Sequence, residues 1–197
     1  MRPLTLPRRQ ALRMLAGAAC LPAIAAATAA GTGGALPGDS LYRLNPLLTD
    51  QDGKPFELRS LQGRPVLASM FYSSCEMVCP VLFETVAQTV KSLPAPARAR
   101  ISILMVTFDP ERDTVAVLKE TAAKHSCDEH WSIVRGSPAD ARQIAAALGV
   151  QYRRLASGEF NHSTSVLLLD TQGRITKRSG SLGAVDPALV TALRQAT

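Results

Sequence analysis

Three short, uninterrupted apolar runs recur along the chain. The runs at 64–74 (RPVLASMFYSS) and 101–108 (ISILMVTF) are bounded by Gly, Ser or Asp, which is typical of strands that are buried on both faces. A third run, HWSIVRG at 130–136, has the same character. These runs predict the central strands of a sheet.

Four other segments repeat their apolar residues with a helical period, and they are 77–93, 109–125, 137–150 and 186–196. In the first, Val78, Leu82, Val86 and Val90 recur every four residues, which puts them on one helical face. The third has Ser137 in the N-cap position before a proline and ends at a glycine. These segments therefore predict four helices.

Two segments predict hairpins. Residues 41–58 contain the turn DQDGKP with Gly53 at its tip, and residues 163–180 turn at TQGR. The resulting order of elements is β, β, β, α, β, α, β, α, β, β, α. This order predicts an α/β fold with a mixed central sheet flanked by helices and an N-terminal β-hairpin.

The amino-terminal segment is predicted to be a targeting signal rather than part of the fold. An arginine pair at 8–9 precedes an uncharged, alanine-rich stretch, which indicates a twin-arginine-like export signal over 1–30. An uncleaved membrane anchor and a lipidated Cys20 are the alternatives, and the Ala, Gly and Pro content favours the signal. A linker over 31–38 and one domain over 39–197 follow. All three alternatives predict a periplasmic domain, or one on the outer face of the bacterial inner membrane.

The positive net charge does not indicate a nucleic-acid partner. The formal charge is +6, but four of the 22 basic residues precede Asp39 and no acidic residue does. The remaining 18 basic residues face 16 acidic ones and form no dense patch. Binding to phosphates needs clustered Lys and Arg, so nucleic acid is excluded as a partner.

The segment SSCEMVCP sets Cys75 and Cys79 at the seam between a buried strand and a helix. Four residues make about one helical turn, so both sulfurs can face one point, and a helix amino terminus stabilises thiolates. The carboxyl end of a parallel strand is also where α/β folds place their sites. An inert pair, a redox couple and two ligands of a metal site remain open. Two thiolates suit copper(I), whereas copper(II) or zinc would need imidazole as well.

The chain has three histidines that could complete such a site. His162 lies immediately before the apolar run of the second hairpin and is expected in a loop over the sheet edge. His125 and His130 flank Cys127 and are expected to be a helix cap and a surface residue. Cys127 is either an apolar filler or part of a minor metal site with these two histidines. The residues alone leave the role of His162 open.

Three motifs together, SSCEMVCP, FDPERDT and NHSTSVLLLD, resemble the Sco/SenC family of copper proteins over residues 36–195. The resemblance implies a thioredoxin-like fold with an inserted hairpin and copper, as Cu(I) or Cu(II), as the cofactor. Family members deliver copper to the CuA centre of cytochrome c oxidase or keep that centre reduced. The implied partners are the oxidase subunit that carries CuA, other periplasmic copper carriers or thiol reductants, and a membrane through the N-terminal segment.

The resemblance also implies roles for single residues. The implied metal ligands are Cys75, Cys79 and His162. Asp109 is expected either to affect the metal through its ligands without binding it, or to cap a helix before Pro110. Arg112 and Asp113 are expected to fix the turn without touching metal.

Some residues depart from the family pattern. Glu76 and Met77 occupy positions where Pro-Asp or a similar pair is common. Glu76 would add negative charge beside the ion, and Met77 is predicted to pack against its neighbours although its thioether is a soft ligand.

Two enzymatic alternatives stay open beside a copper chaperone. A thiol-disulfide oxidoreductase would use Cys75 and Cys79 as catalytic residues but would not need His162. A peroxiredoxin-like peroxidase is disfavoured because Tyr72 stands where such enzymes have threonine, three residues before the reactive cysteine.

Overall fold

The computed structural model describes residues 35–197, and every statement below concerns that part of the chain. The predicted export signal over 1–30 and the first half of the predicted linker over 31–38 lie outside the described residues. Within 35–197, no helix has both the length and the apolar composition that crossing a membrane requires.

The described chain contains nine strands and five α-helices. The strands are β1 (Leu48–Thr49), β2 (Pro55–Phe56), β3 (Val66–Phe71), β4 (Ser102–Thr107), β5 (Trp131–Val134), β6 (Tyr152–Arg154), β7 (Phe160–His162), β8 (Val166–Leu169) and β9 (Ile175–Ser179). The helices are α1 (Val78–Lys91), α2 (Ala95–Arg98), α3 (Val115–Lys124), α4 (Pro138–Leu148) and α5 (Pro187–Ala196).

Five strands form the central sheet in the order β5-β4-β3-β8-β9. Strand β3 runs parallel to β4, which is parallel to β5, whereas β8 is antiparallel to both β3 and β9. Every residue of β3 and β4 is buried, as continuous apolar runs require. The mixed sheet with flanking helices confirms the predicted fold class.

The helix predictions hold best where capping residues mark the ends. Helix α1 begins one residue after the predicted start, and it buries Leu82 and Val86. Ser137 is the N-cap of helix α4, and its side chain and that of Asp140 form a reciprocal capping box. Gly149 is the C-cap, in the left-handed region with φ 65°.

The second predicted helix starts later than the pattern indicated. Helix α3 begins at Val115, with Thr114 as its N-cap, and residues 109–113 form a turn instead. Asp113 is the physical reason, because its buried carboxylate accepts hydrogen bonds from Ser73 and Thr107 rather than facing solvent on a helix. The prediction that Asp109 caps this helix is therefore wrong.

The N-terminal hairpin is smaller than predicted. Strands β1 and β2 have two residues each, and 3-10 turns occupy Leu41–Arg43 and Leu58–Leu61. Gly53 lies at the tip with φ 79°, as the turn sequence predicts. The short helix α2, with Pro94 as its N-cap, was not predicted.

A second small hairpin, β6–β7, carries His162. It forms a separate two-stranded antiparallel sheet in which Tyr152 pairs with His162. This hairpin corresponds to the insertion that the family resemblance implies, although the residue pattern gave no strand here. His162 is therefore the last residue of a strand and not a loop residue as predicted.

Candidate metal centre

Cys75, Cys79 and His162 come together in the folded chain. One ligand atom from each residue lies within 4.8 Å of the other two. The cysteines are 6% and 3% exposed, whereas His162 is half-buried. Residues that are far apart in the sequence thus form one compact cluster of two sulfurs and an imidazole.

Cys75 lies in the loop between β3 and α1, where its sulfur accepts a hydrogen bond from the first turn of the helix. The backbone amide of Cys79 donates to Cys75 Sγ at 3.3 Å. Burial alone would raise the pKa of the Cys75 thiol, but hydrogen bonds from Cys79 and from the amides of Val78 and Met77 outweigh it. The pKa of Cys75 therefore lies below its ordinary value, and the thiolate is favoured.

Cys79 is the second residue of α1, which puts it nearer the helix start than the predicted full turn. Burial raises the pKa of its thiol far above the ordinary value, and the neighbouring Cys75 sulfur and the negative charge of Asp113 raise it further. The two thiols are both free. The pair is thus asymmetric, because the Cys75 thiol loses its proton more readily than the Cys79 thiol.

The imidazole of His162 is held by aromatic rings and by its own strand end. Its centroid lies 5.8 Å from that of Tyr72, edge to face, and 5.1 Å from that of Phe108. Nδ1 lies 3.1 Å from Thr164 Oγ1 and 3.3 Å from the carbonyl oxygen of Ser163. Among the described residues, the hydrogen-bond partners of this ring are therefore on its Nδ1 side.

Tyr72 links the thiols to the hairpin. Its hydroxyl donates to Glu159 Oε2 at 2.7 Å. Burial, together with this hydrogen bond, raises the pKa of Tyr72 well above its ordinary value, so the hydroxyl stays a donor. Sequence reasoning missed this contact, because 87 positions separate the two residues.

Asp109 does not belong to the cluster. It is 3% exposed, its carboxylate pairs with Arg112, and its backbone amide donates to Thr107 Oγ1 at 3.0 Å. Its influence on a bound metal stays a prediction. Arg112 also reaches beyond the turn, because its Nη2 donates to the carbonyl oxygen of Gly158 at 2.8 Å.

Asp113 was expected only to fix the turn, but it also holds the loop that follows β3. It is fully buried, and its carboxylate accepts hydrogen bonds from the Ser73 amide and hydroxyl and from the Thr107 hydroxyl. Burial raises its pKa, and these hydrogen bonds oppose the rise. Asp113 thereby anchors the start of the loop that carries Cys75.

Cys127, His125 and His130 do not form a metal-binding group within residues 35–197. Cys127 is half-buried and packs against the core, in agreement with the prediction of an apolar filler, and burial raises its pKa to about 12. His125 ends α3 as predicted and stacks on Phe83, with 4.2 Å between ring centroids. Burial and then Lys124 lower the pKa of His125.

Of the three residues between the cysteines, Glu76 and Met77 are exposed, whereas Val78 packs against the core. Met77 is 79% exposed, so the prediction that it packs against its neighbours is wrong, and Glu76 is exposed as well. The cavity of about 20 Å³ that both cysteines line is also lined by Lys124 and His125 but not by His162, so it is not the space between the three clustered residues.

The chain is similar to several known proteins. The SCO1/SenC family model matches residues 45–194. A Stutzerimonas stutzeri protein named for copper binding is 26% identical over 140 residues, which are 71% of this chain and 62% of that protein. The Bacillus subtilis SCO1 protein homolog is 28% identical over 141 residues, which cover 69% of this chain and 72% of that protein.

A solved structure extends the similarity to three dimensions. Bradyrhizobium japonicum ScoI, solved with copper bound, superposes with a TM-score of 0.66 at 26% identity. The superposition covers 77% of this chain and 97% of that chain.

Proposed function

This chain belongs to the SCO1/SenC family, and from that membership we propose that it is a copper chaperone whose cargo is held by Cys75, Cys79 and His162. The observation that carries the proposal is the approach of the three ligand atoms to within 4.8 Å of one another. Two thiolates match soft copper(I), and an added imidazole matches copper(II). The donor set therefore fits copper in both oxidation states.

The contacts of the His162 imidazole indicate which of its two ring nitrogens binds copper. Thr164 and Ser163 lie on the Nδ1 side of the His162 ring. A hydrogen bond at one ring nitrogen fixes the tautomer and leaves the other nitrogen for the metal. We therefore expect His162 to bind copper through Nε2.

Because the pKa values of the two thiols differ, we expect one of them to release a proton when copper binds. Cys75 favours the thiolate, whereas the raised pKa of Cys79 keeps this residue protonated. A metal ligand must be deprotonated, so Cys79 releases its proton as copper enters. Incoming thiolates of an acceptor would then replace the ligands one at a time, which keeps copper bound throughout the transfer.

The acceptor follows from the family resemblance. We propose the subunit of cytochrome c oxidase that carries the CuA centre, with the chain in the periplasm or on the outer face of the inner membrane. The arginine pair at 8–9 and the uncharged stretch that follows support export. Recovery of the mature chain from the cytoplasm alone in fractionated cells would contradict this location.

Anaerobic copper titration of the reduced full chain tests the chaperone. We expect one copper(I) per chain, and one copper(II) with thiolate-to-copper charge-transfer absorption. Cys75→Ser and Cys79→Ser should abolish tight binding, and His162→Ala should remove the charge-transfer absorption. His130→Ala is the matched control and should bind as the natural chain does. Unchanged binding in both Cys75→Ala and His162→Ala would exclude the proposed site.

The asymmetry of the two thiols also favours a second candidate, a thiol-disulfide oxidoreductase. The Cys75 thiolate would attack an acceptor disulfide, and Cys79 would then resolve the mixed disulfide. The acceptor would leave as a dithiol, and this chain would become the disulfide until a thiol reductant restores it. Full activity of His162→Ala in cells, measured as assembled oxidase, would favour this function over copper transfer.

A further inference from the structure

The β6–β7 hairpin carries His162 but pairs with no strand of the central sheet within the described chain. The two cysteines, in contrast, follow β3 in the middle of that sheet. Backbone pairing therefore does not fix the imidazole relative to the sulfurs. Besides the short connection from His162 to β8, side-chain contacts between the hairpin and the core hold it in place.

One such contact joins the hairpin to the segment that carries the thiols. The Tyr72 hydroxyl donates to Glu159 Oε2 at 2.7 Å, and Glu159 lies in the turn between β6 and β7. Tyr72 follows β3 directly, and its carbonyl oxygen accepts from the Cys75 amide at 3.3 Å. Tyr72 thus contacts both parts of the cluster.

A second contact joins the same turn to the segment after β4. Arg112 Nη2 donates to the carbonyl oxygen of Gly158 at 2.8 Å. Nε of the same guanidinium pairs with the buried carboxylate of Asp109, which restrains the arginine. The guanidinium carbon also lies 5.8 Å from the ring centroid of Phe160.

Tyr72, which contacts the hairpin turn, belongs to the same group of aromatic rings against which His162 packs. Phe160 lies 5.1 Å from Tyr72 and 5.1 Å from Phe108, measured between centroids. The His162 ring packs against the same two residues. A displacement of the hairpin turn would therefore be passed along a three-residue strand to the imidazole.

We propose that Tyr72, Glu159 and Arg112 form a clasp that holds the hairpin turn against the core and so sets the position of His162 over the thiol pair. These are positioning residues, since they act through His162. The inference rests on the proposed function, because it assigns a metal-binding consequence to the clasp.

Loosening the clasp should affect the two oxidation states unequally. Copper(I) is satisfied by two thiolates, whereas copper(II) depends on imidazole. Tyr72→Phe keeps the ring and removes only the donor, and Glu159→Ala removes the acceptor. We expect each to lower copper(II) affinity about tenfold, the effect typical of partners that orient a metal ligand, and to leave copper(I) affinity unchanged.

Matched variants separate the clasp from general effects on stability. Glu159→Gln keeps an acceptor for the Tyr72 hydroxyl and should retain the copper(II) affinity of the natural chain. Glu120→Ala removes another exposed glutamate, on α3, and should have no effect. Because Tyr72 and Glu159 act on each other, the double variant should lose no more affinity than either single variant.

The experiment compares copper(II) and copper(I) affinities of the full chain and its variants, with the amide hydrogen exchange of residues 152–162 in the metal-free state. Faster exchange together with a selective loss of copper(II) supports the clasp. Equal losses for both oxidation states, or no loss in Tyr72→Phe and Glu159→Ala, would overturn it. If the natural chain binds no copper, the proposed function fails, and unchanged exchange in the variants would then overturn the clasp separately.

Discussion

Two cysteines four positions apart differ sharply in their readiness to lose a proton. Cys75 receives hydrogen bonds at the start of α1, and these lower the pKa of its thiol despite burial. Cys79 is buried beside the sulfur of Cys75 and the carboxylate of Asp113, so its pKa is raised. Local donors therefore decide the ionisation of one thiol, and burial decides that of the other.

This difference predicts the order of alkylation in the reduced, metal-free chain. Iodoacetamide reacts with thiolates, so Cys75 should be modified at least about tenfold faster than Cys79 near neutral pH. Peptide mass spectrometry over a range of pH would measure both rates. In Cys75→Ser, the pKa of Cys79 should fall and its alkylation should accelerate. Equal rates with the same pH midpoint would contradict the assigned asymmetry.

Among the elements, the loop after β3 and the turn before α3 depend on one buried carboxylate. Asp113 accepts from Ser73, which lies two residues before Cys75, and from Thr107 at the end of β4. One side chain thus joins two neighbouring strand ends. This joint determines where the loop with the first cysteine begins.

Asp113→Ala should destabilise the fold by about 3 kcal/mol, because it leaves the donors of the half-buried Ser73 and of the buried Thr107 without this partner. Urea unfolding followed by circular dichroism would measure the loss. Asp52→Ala removes an exposed carboxylate that lies 3.8 Å from Lys119, and it should change stability by no more than about 0.5 kcal/mol. A loss for Asp113→Ala as small as that of the control would show that the joint is not needed.

The elements also differ in how far the sequence predicts them. Burial on both faces demands continuous apolar runs, so β3, β4 and the helices with marked ends were predictable. The turn at 109–113 and the β6–β7 hairpin were not, because distant partners hold them. Arg112 and Gly158 are 46 positions apart, and Tyr72 and Glu159 are 87 apart. The thiol pair was visible as a local motif, whereas the approach of His162 was implied only by the family resemblance.

At the scale of the whole molecule, the cluster joins parts of the chain that are far apart in the sequence. Cys75 and Cys79 belong to the centre of the sheet, and His162 belongs to a separate hairpin. An ion held by all three would bind only the folded chain. Binding of that kind is linked to folding and raises the stability of the native state.

Copper should therefore raise the melting temperature of the full chain. At a free concentration about 1,000 times Kd, the gain is about 4 kcal/mol, or on the order of 10 °C for a domain of this size. Differential scanning calorimetry of the reduced chain with copper(I) would measure it, and a strong chelator should reverse it. Cys79→Ser should show no gain. A gain as large in that variant would indicate that copper stabilises the fold from another position.

The three residues of the cluster are not equally accessible from outside. Both sulfurs are almost completely covered, whereas the imidazole is half-exposed. An approaching receptor protein would meet the ring first, so its own donor atom would displace nitrogen before sulfur. Departure of copper should then proceed through an intermediate that the two sulfurs still retain, and the imidazole side of the molecule should face the recipient during the exchange.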